Sequence, residues 1–151
     1  VKKLQNSLII YNTGVSRDAN VILKHQNQAL KIGEKKSIAS MKRIKEIGYE
    51  SKQALEKGDF DSFGLLMDEH WRVKKEMHPD MSTPGIDKVY LKAKRAGSLG
   101  GKVIGAGGGG FFMFYVPLAK QNKFRTEMGK LGLKELDWQF NHSGCEVIFA
   151  Q

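Results

Sequence analysis

The sequence predicts an α+β fold, in which helices cover one face of a mainly antiparallel sheet of four strands. Short apolar and aromatic runs that are typical of buried strands lie near both ends of the chain. Long stretches with helical periodicity separate them, and two short runs joined by a turn close the chain. Helical crossovers combined with one terminal hairpin favour helices packed on an antiparallel sheet.

The first strand is expected within residues 4–11, where Leu8-Ile9-Ile10-Tyr11 forms an apolar run. The turn-forming sequence Asn12-Thr13-Gly14 should end it. Ser16 then offers an N-cap for a helix that runs to about Leu30.

Two further helices are predicted to form an antiparallel hairpin. The first runs from Glu34 to Lys57 and is stopped by Gly58, and the second is capped by Asp59. The inward positions of the first are expected to be Ile38, Met41, Ile44, Tyr49 and Leu55. In the second, Phe60, Phe63, Met67, His70 or Trp71, and Met77 recur at the spacing of a buried stripe.

The second half of the chain begins with a helix that Thr83 caps and Pro84 opens, and that Gly97 ends. Asp87 in its first turn favours a purely structural cap. A strand over residues 111–116 and a helix over residues 118–131 follow. Strands over residues 134–140 and 145–150, joined by the turn at 141–144, complete the expected fold.

Residues 100–110 form a tract with seven of the 17 glycines. Glycine-rich composition alone suggests a flexible linker, but Lys102-Val103-Ile104 on one side and the apolar run from Phe111 on the other favour an ordered loop. Without Cβ atoms, such a backbone can bring its N–H groups close to a phosphate.

Two familiar phosphate-binding patterns do not fit this tract. Gly105, Gly107 and Gly110 match G-x-G-x-x-G, but the dinucleotide fingerprint needs a helix directly afterwards, and here a strand is predicted. A Walker A loop is excluded as well, because Lys102 is followed by Val103 and not by Ser or Thr.

Length and composition indicate one domain, over residues 1–151, with a net charge of +9. Most lysines are expected on a solvated face, while the surplus is compatible with nucleic acid, an acidic membrane or phosphorylated small molecules. Cys145 stands alone, so no intrachain disulfide is expected, and the sequence shows neither a membrane span nor a signal peptide. We therefore expect a cytoplasmic protein, and the start at Val1 suggests a piece of a longer polypeptide.

Three basic side chains are candidate site residues. Arg17 lies in the first turn of its helix, where a cation is unfavourable; it either meets a substrate phosphate or pairs with a carboxylate such as Asp18. Lys102 either points into the glycine loop or is a surface lysine. His70 and His78 lack the H-E-x-x-H spacing and lie more than two turns apart, so no metal site is expected.

The segment Gly101-Lys102-Val103-Ile104-Gly105-Ala106-Gly107-Gly108-Gly109-Gly110 resembles the third conserved motif of the GHMP small-molecule kinases. This superfamily includes galactokinases, homoserine kinases, mevalonate kinases and phosphomevalonate kinases. Three further stretches are similar to its heptose 7-phosphate kinase branch: residues 11–17, residues 68–75 and residues 82–87. Ile104 and Phe111 replace residues usual in the wider superfamily, and the branch accepts these apolar choices. The resemblance covers nearly the whole chain.

The resemblance implies a ferredoxin-like C-terminal domain with a helical insertion. It implies an ATP- and Mg²⁺-dependent sugar kinase that phosphorylates a heptose 7-phosphate for nucleotide-activated heptose and surface polysaccharide. It also implies nucleotide contacts for Lys102, Gly105, Ala106, Gly107, Gly108, Gly109 and Gly110, and substrate contacts for Arg17 and His70.

The family's main phosphate loop and catalytic Asp belong to an N-terminal half that nothing in these 151 residues matches. We therefore expect no catalytic residue and no kinase activity in this chain alone, and we expect its own N-terminal half and a sugar phosphate as partners. A second copy of the chain is a further possible partner.

The alternative hypothesis is a ferredoxin-like basic module that binds nucleic acid. Phe111, Phe112, Phe114 and Tyr115 would then stack bases, although no basic-glycine-aromatic order accompanies them. Alternate members of such a run must also face the core.

Overall fold

The computed structural model describes residues 1–14, 24, 35–77, 81–104 and 109–144. Its strands are β1 (Leu8–Asn12), β2 (Gly100–Ile104), β3 (Phe111–Tyr115) and β4 (Glu135–Leu136). The helices are α1 (Lys2–Ser7), α2 (Lys35–Lys57), α3 (Phe60–Met77), α4 (Pro84–Ala96) and α5 (Gln121–Gly129), and a 3₁₀ turn (Leu118–Lys120) leads into α5.

The four strands form one antiparallel sheet in the order β2-β3-β1-β4. Helix α4 crosses from β1 to β2, β2 and β3 form a hairpin, and α5 crosses from β3 to β4. This is the ferredoxin-like βαββαβ arrangement. It confirms the predicted antiparallel sheet, with the α2–α3 hairpin inserted before the first crossover helix.

The two faces of the sheet pack against different helices, because successive side chains of a strand point to opposite faces. Aromatic and apolar residues of one face, with Phe112 and Phe114 at the centre, form the main core with α4 and α5. On the other face, Leu8 and Tyr115 pack with Met67 of α3.

Helix α3 approaches β2 unusually closely, and glycine permits this. A Cβ added to Gly100 would overlap the carbonyl oxygen of Gly64 and lie 2.6 Å from the amide nitrogen of Asp68. A Cβ added to Gly64 would in turn overlap the ring of Tyr115. These glycines therefore serve packing between the helix and the sheet.

The caps predicted for α3 and α4 are confirmed. The Thr83 hydroxyl accepts a hydrogen bond from the amide of Ile86 at 3.2 Å, and Gly97 ends α4 with φ of 114°. Asp59 accepts from the amide of Ser62 at 3.1 Å at the start of α3. Asp87 is held by Lys75 and Ser82, in line with a structural role.

The prediction that Gly100–Ile104 belongs to the loop was wrong. These residues are β2, and Lys102 pairs with Met113 in the ladder. A segment rich in glycine is typical of a turn or loop, so the sequence does not indicate a strand here. In the structure Gly100 and Gly101 lie within a strand, where they allow close packing.

The first strand is confirmed, whereas the strand limits differ near the end of the chain. The run Leu8-Ile9-Ile10-Tyr11 lies in β1, and residues 2–7 before it form α1. The strand expected over residues 134–140 contains only Glu135–Leu136, because β1 offers it a partner at just two positions, Ile10 and Tyr11. The predicted helix at 16–30 and the predicted strand at 145–150 lie outside the described residues.

The inward face predicted for α2 was wrong in part. Ile38, Met41 and Tyr49 are 37%, 42% and 61% exposed. The buried positions are Ser37, Ser40, Ile47 and Ala54, most of them small. Small side chains let α2 lie close to α3, so the size of a side chain as well as its apolar character decides which face of α2 is buried.

Candidate phosphate-binding site

The glycine loop connects two paired strands. Ile104 pairs with Phe111, so residues 105–110 form the hairpin connection between β2 and β3. Gly110 has φ of 93°, in the region that favours glycine. Gly109 and Gly110 are described, whereas Gly105, Ala106, Gly107 and Gly108 lie outside the described residues.

Thr13 fixes the end of this loop to the end of β1. Its amide and its hydroxyl both donate to the carbonyl oxygen of Gly110, at 2.9 and 2.8 Å. The next turn is closed by the amide of Gly14, which donates to Oδ1 of Asn12 at 2.8 Å. Two stretches that are almost 100 residues apart in sequence are thus joined at one end of the sheet.

The orientation of Lys102 is decided by the register of β2. Lys102 lies on the same face as Gly100, the face against which α3 packs. Its Nζ is 3.4 Å from Nε2 of His70 on α3. Lys102 and His70, which the sequence indicated for different reasons, are therefore neighbours in the structure.

Lys102 and His70 line a cavity of about 390 Å³ between the α2–α3 hairpin and the sheet. The rest of its wall is mainly apolar and is made of Ile44, Ile47, Gly48, Ser51, Phe63, Leu66, Met67 and Met113. A mostly apolar cavity with a few polar groups is typical of small-molecule sites.

A third basic side chain, Lys74, completes what we call the basic cluster: His70, Lys74 and Lys102. The pKa of His70 is lowered from 6.5 to about 4, mainly by burial and further by the positive charges of Lys102 and Lys74. Burial and the charge of Lys102 lower the pKa of Lys74 to about 8. Burial also lowers the pKa of Lys102. At neutral pH the imidazole of the cluster is therefore neutral, and both of its lysines have a pKa below the ordinary value.

The neighbouring carboxylates are engaged elsewhere. Burial raises the pKa of Asp68, but hydrogen bonds from Tyr90 and Lys94 outweigh it and leave the pKa lowered. Glu69 accepts a hydrogen bond from Arg43 of α2 at 2.7 Å, which lowers its pKa. The charged groups that shift the pKa values of His70 and Lys74 are the lysines of the cluster itself.

The hydrogen-bond roles of His70 follow from this charge state. When Lys102 Nζ donates to Nε2 of the neutral imidazole, the proton of the imidazole is on Nδ1. Within the part of the chain that the structure describes, this buried Nδ1 has no hydrogen-bond partner. The cluster thus presents donors, which suit an anion.

Sequence reasoning found Lys102 and His70 but did not select Lys74. The signal was the spacing of four residues between His70 and Lys74, which places them on one face of a helix. Arg17 and His78 lie outside the described residues. No group of three or more His, Cys, Asp or Glu side chains suited to a metal ion occurs within the described ranges.

A second cavity, of about 560 Å³, lies near β4 and is lined in part by Arg125, Glu135 and Trp138. In this cavity Arg125 Nε donates a hydrogen bond to a carboxylate oxygen of Glu135 at 2.8 Å, so these two charged side chains are paired with each other. We therefore place the candidate site at the basic cluster.

The aromatic run on β3 is not available as a platform for bases. Phe112, Phe114 and Tyr115 are 1%, 0% and 2% exposed, and Phe111 is 39% exposed. Stacking of successive bases needs exposed rings. The burial of three of these four rings removes the aromatic basis of the nucleic-acid hypothesis. Among the described residues, no helix has the length and apolar character to cross a bilayer.

The fold and the site define a ferredoxin-like α+β domain with a glycine-rich hairpin beside a basic cluster, an arrangement suited to phosphate groups. The chain belongs to the GHMP kinase family: the family model "GHMP kinases C terminal" matches residues 51–132, more than half of the chain.

Curated relatives agree with this assignment. The chain is 31% identical over 145 residues to a D-glycero-alpha-D-manno-heptose 7-phosphate kinase of Campylobacter jejuni, covering 95% of this chain and 42% of the relative. It is 30% identical to a bifunctional fucokinase/GDP-fucose pyrophosphorylase of Arabidopsis thaliana, covering 82% of this chain and 12% of that protein. The chain therefore spans less than half the length of these relatives.

The crystal structure of L. major mevalonate kinase in complex with R-mevalonate has the same fold. Its TM-score is 0.70 at 19% identity, with 82% of this chain and 37% of that chain covered.

Proposed function

We propose that this chain is the C-terminal domain of an ATP-dependent kinase that phosphorylates a heptose 7-phosphate. The observation that carries the proposal is the glycine loop, which Thr13 fixes at Gly110 and which continues from the strand that holds Lys102. The 31% identity to a heptose 7-phosphate kinase over 95% of the chain supports the choice of acceptor.

In this proposal the chain supplies positioning and positive charge. Phosphoryl transfer requires phosphates held in place and their charge neutralised, with little covalent chemistry from the protein. Loop amides of residues 105–110 would hold nucleotide phosphates, and Lys102 would contribute charge, while His70 and Arg17 would face the acceptor. ATP would supply the transferred phosphoryl group, and Mg²⁺ would neutralise its developing charge.

The main phosphate loop and the catalytic carboxylate would come from an N-terminal half. The chain alone is then one part of an active site and has no turnover of its own. Joined to that half, it should reach the roughly 1–100 s⁻¹ of typical kinases.

An assay with Mg-ATP and D-glycero-D-manno-heptose 7-phosphate tests this proposal on both forms. The chain by itself should show background hydrolysis only, and the longer protein should form a heptose bisphosphate. Turnover by the isolated chain would refute the proposal that the catalytic groups belong to an N-terminal half. Inactivity of a folded longer protein towards this acceptor would refute the proposed substrate.

The loop can be tested separately through its anchor. Thr13→Val removes one hydrogen bond to Gly110 while keeping the shape, and we expect kcat to fall about tenfold, the effect of one lost hydrogen bond on loop position. Thr126→Val is the matched control, because the Thr126 hydroxyl donates within its own exposed helical turn, to the carbonyl of Asn122 at 3.0 Å. Equal kcat values for the two variants would remove Thr13 from the mechanism.

A further inference from the structure

The polar cavity near β4 is separate from the candidate phosphate-binding site. The sheet order β2-β3-β1-β4 places two strands between β4 and β2, the strand that carries Lys102. At about 4.8 Å between neighbouring strands, β4 is roughly 14 Å from β2. We propose that this cavity binds a neutral saccharide, a function that goes beyond the kinase reaction and uses none of the residues assigned to it.

This cavity, which we call the saccharide groove, lies where α1, α5 and the segment that begins with β4 meet. Its volume of about 560 Å³ is in the range of small-molecule sites. The polar lining includes Gln5, Asn6, Arg125, Glu135 and Asp137, and Trp138 provides an aromatic ring.

The first argument is charge. Arg125 and Glu135 form a bidentate pair, in which Nε donates to Oε2 at 2.8 Å and Nη2 donates to Oε1 at 2.9 Å. Asp137 adds a second carboxylate to the lining, and its charge is not matched by a further cation of the groove. A phosphate would meet this negative charge, so the groove suits a ligand without one.

The second argument is the mixture of donors and acceptors. The side-chain amides of Gln5 and Asn6 can each donate and accept, as a sugar hydroxyl does. Within the described part of the chain, Arg125 uses three of its five N–H groups for Glu135 and Gln121. The other two can donate to a ligand, and the carboxylates of the groove accept. A ligand with several hydroxyls satisfies both kinds of group, whereas a cation meets only the acceptors.

The third argument is the aromatic ring. Trp138 packs on the small apolar cluster around Leu8 and is partly exposed at the groove. Its ring lies 5.1 Å from the ring of Phe140, edge to face, and the amide of Phe140 donates to Oε1 of Gln5 at 3.0 Å. These contacts hold the ring in place before a ligand enters, which lowers the entropic cost of binding.

An indole face is a suitable partner for one side of a sugar ring. The face of the aromatic ring is negative, and the C–H groups of a sugar carry a small positive charge, so the two surfaces attract each other. The hydroxyl groups at the rim of the same sugar can reach the polar side chains of the groove. A polar lining beside one fixed tryptophan therefore favours a saccharide over a purely apolar ligand.

A nuclear magnetic resonance titration of the isotope-labelled protein that contains both halves tests the proposal. The probes are three neutral sugars: methyl α-D-mannoside, methyl α-D-glucoside and methyl α-D-galactoside. The signals are the backbone amides of Gln5, Asn6 and Asp137 and the indole N–H of Trp138. At least one probe should shift them with a dissociation constant of about 1 mM, the affinity of a small ligand held by a few hydrogen bonds and one ring.

Mannose 6-phosphate provides the test of charge. At these same signals it should bind at least about threefold more weakly than methyl α-D-mannoside, because it brings a negative charge towards the carboxylates of the groove. Tighter binding of the phosphorylated sugar at the groove would assign the groove to an anion and overturn the inference.

Two substitutions test the groove itself, followed at the amide signals. Trp138→Ala should weaken binding about tenfold by removing the ring on which the sugar packs. Asn6→Ala, at an exposed position, should weaken it about fivefold, and it decides the matter if the tryptophan substitution disturbs the fold. Tyr49→Ala is the matched control, because Tyr49 is an aromatic residue that is 61% exposed on α2 and outside the groove. It should leave the dissociation constant unchanged.

Each other outcome overturns the inference. If none of the three neutral sugars shifts these signals at the highest soluble concentration, the groove is not a saccharide site. Binding that Trp138→Ala and Asn6→Ala leave unchanged, or shifts confined to Lys102 and the glycine loop, would assign the sugar to the kinase site. Because the titration does not depend on turnover, its failure is distinguishable from a failure of the proposed kinase function.

Discussion

The two sides of helix α3 use charge in opposite ways. Towards α4, Asp68 accepts a hydrogen bond from Tyr90 and forms ion pairs with Lys94 and Arg72, both at 3.2 Å. Next to it, Trp71 is fully buried against the rings of Tyr90 and Phe112. Towards β2, His70 and Lys74 face a third basic side chain, Lys102.

The difference indicates which side serves stability and which serves binding. A network in which each charge has a partner of opposite sign holds α3 to α4. On the other side, burial and the charge of Lys102 lower the pKa of Lys74, and perturbed pKa values of this kind are frequent at functional sites. Substitutions on the first side should therefore destabilise the protein, and some on the second should stabilise it.

The largest effect should come from Trp71→Ala. Removing a large buried side chain loses its transfer free energy and leaves a cavity, so the free energy of unfolding should fall by about 3–5 kcal/mol. Urea unfolding measures it, with Leu65→Ala as the control, because Leu65 is on the same helix and 54% exposed. A loss below that of the control would show that α3 does not depend on this contact.

Asp68→Asn should come next. The amide keeps the shape but loses the charge that Lys94 and Arg72 face, and we expect a loss of about 1–3 kcal/mol. A double-mutant cycle with Tyr90→Phe measures the coupling between the two residues. Additive effects would contradict the network described for this side.

The third effect depends on pH. The pKa of His70 is about 4 in the folded protein against an ordinary value of 6.5, so the unfolded chain binds the proton first as pH falls. Stability from a neutral His70 is complete above pH 6.5 and is lost between pH 6.5 and 4. Because the side chain is partly exposed, we expect about 1 kcal/mol between pH 7 and 5. Urea unfolding of the wild type and of His70→Gln at both pH values measures the difference, and parallel losses would refute the assignment.

The smallest effect should be a gain. Lys102→Met keeps the length of the side chain and removes a half-buried charge from the cluster, so stability should rise by about 0.5–1 kcal/mol. Thermal unfolding at low salt measures it. Lys130→Met is the control, because Lys130 directly follows α5, is 62% exposed and pairs with Glu127. A loss of stability would mean that the cluster is held together by other groups and is not a strained site.

Sequence reasoning predicted α3, α4 and their caps, because periodicity and capping depend on neighbouring residues along the chain. It placed β1 and β3 for the same reason. It missed β2, since the glycine at 100 reflects the approach of Gly64 and Asp68 of α3, and the glycine at 101 reflects the approach of Phe114 on β3. It also misjudged Tyr49, which is apolar in part but is 61% exposed.

The candidate site divides in the same way. The sequence by itself determined the glycine tract, the basic residues at 70 and 102 and the resemblance that connects them to a kinase family. Only the tertiary structure decided that Lys102 faces α3, that Lys74 joins it and that Asp68 and Glu69 are engaged elsewhere. The physical reason is that local patterns depend on contacts within a few residues, whereas the register of β2 and the packing of α3 bring together groups about 30 residues apart.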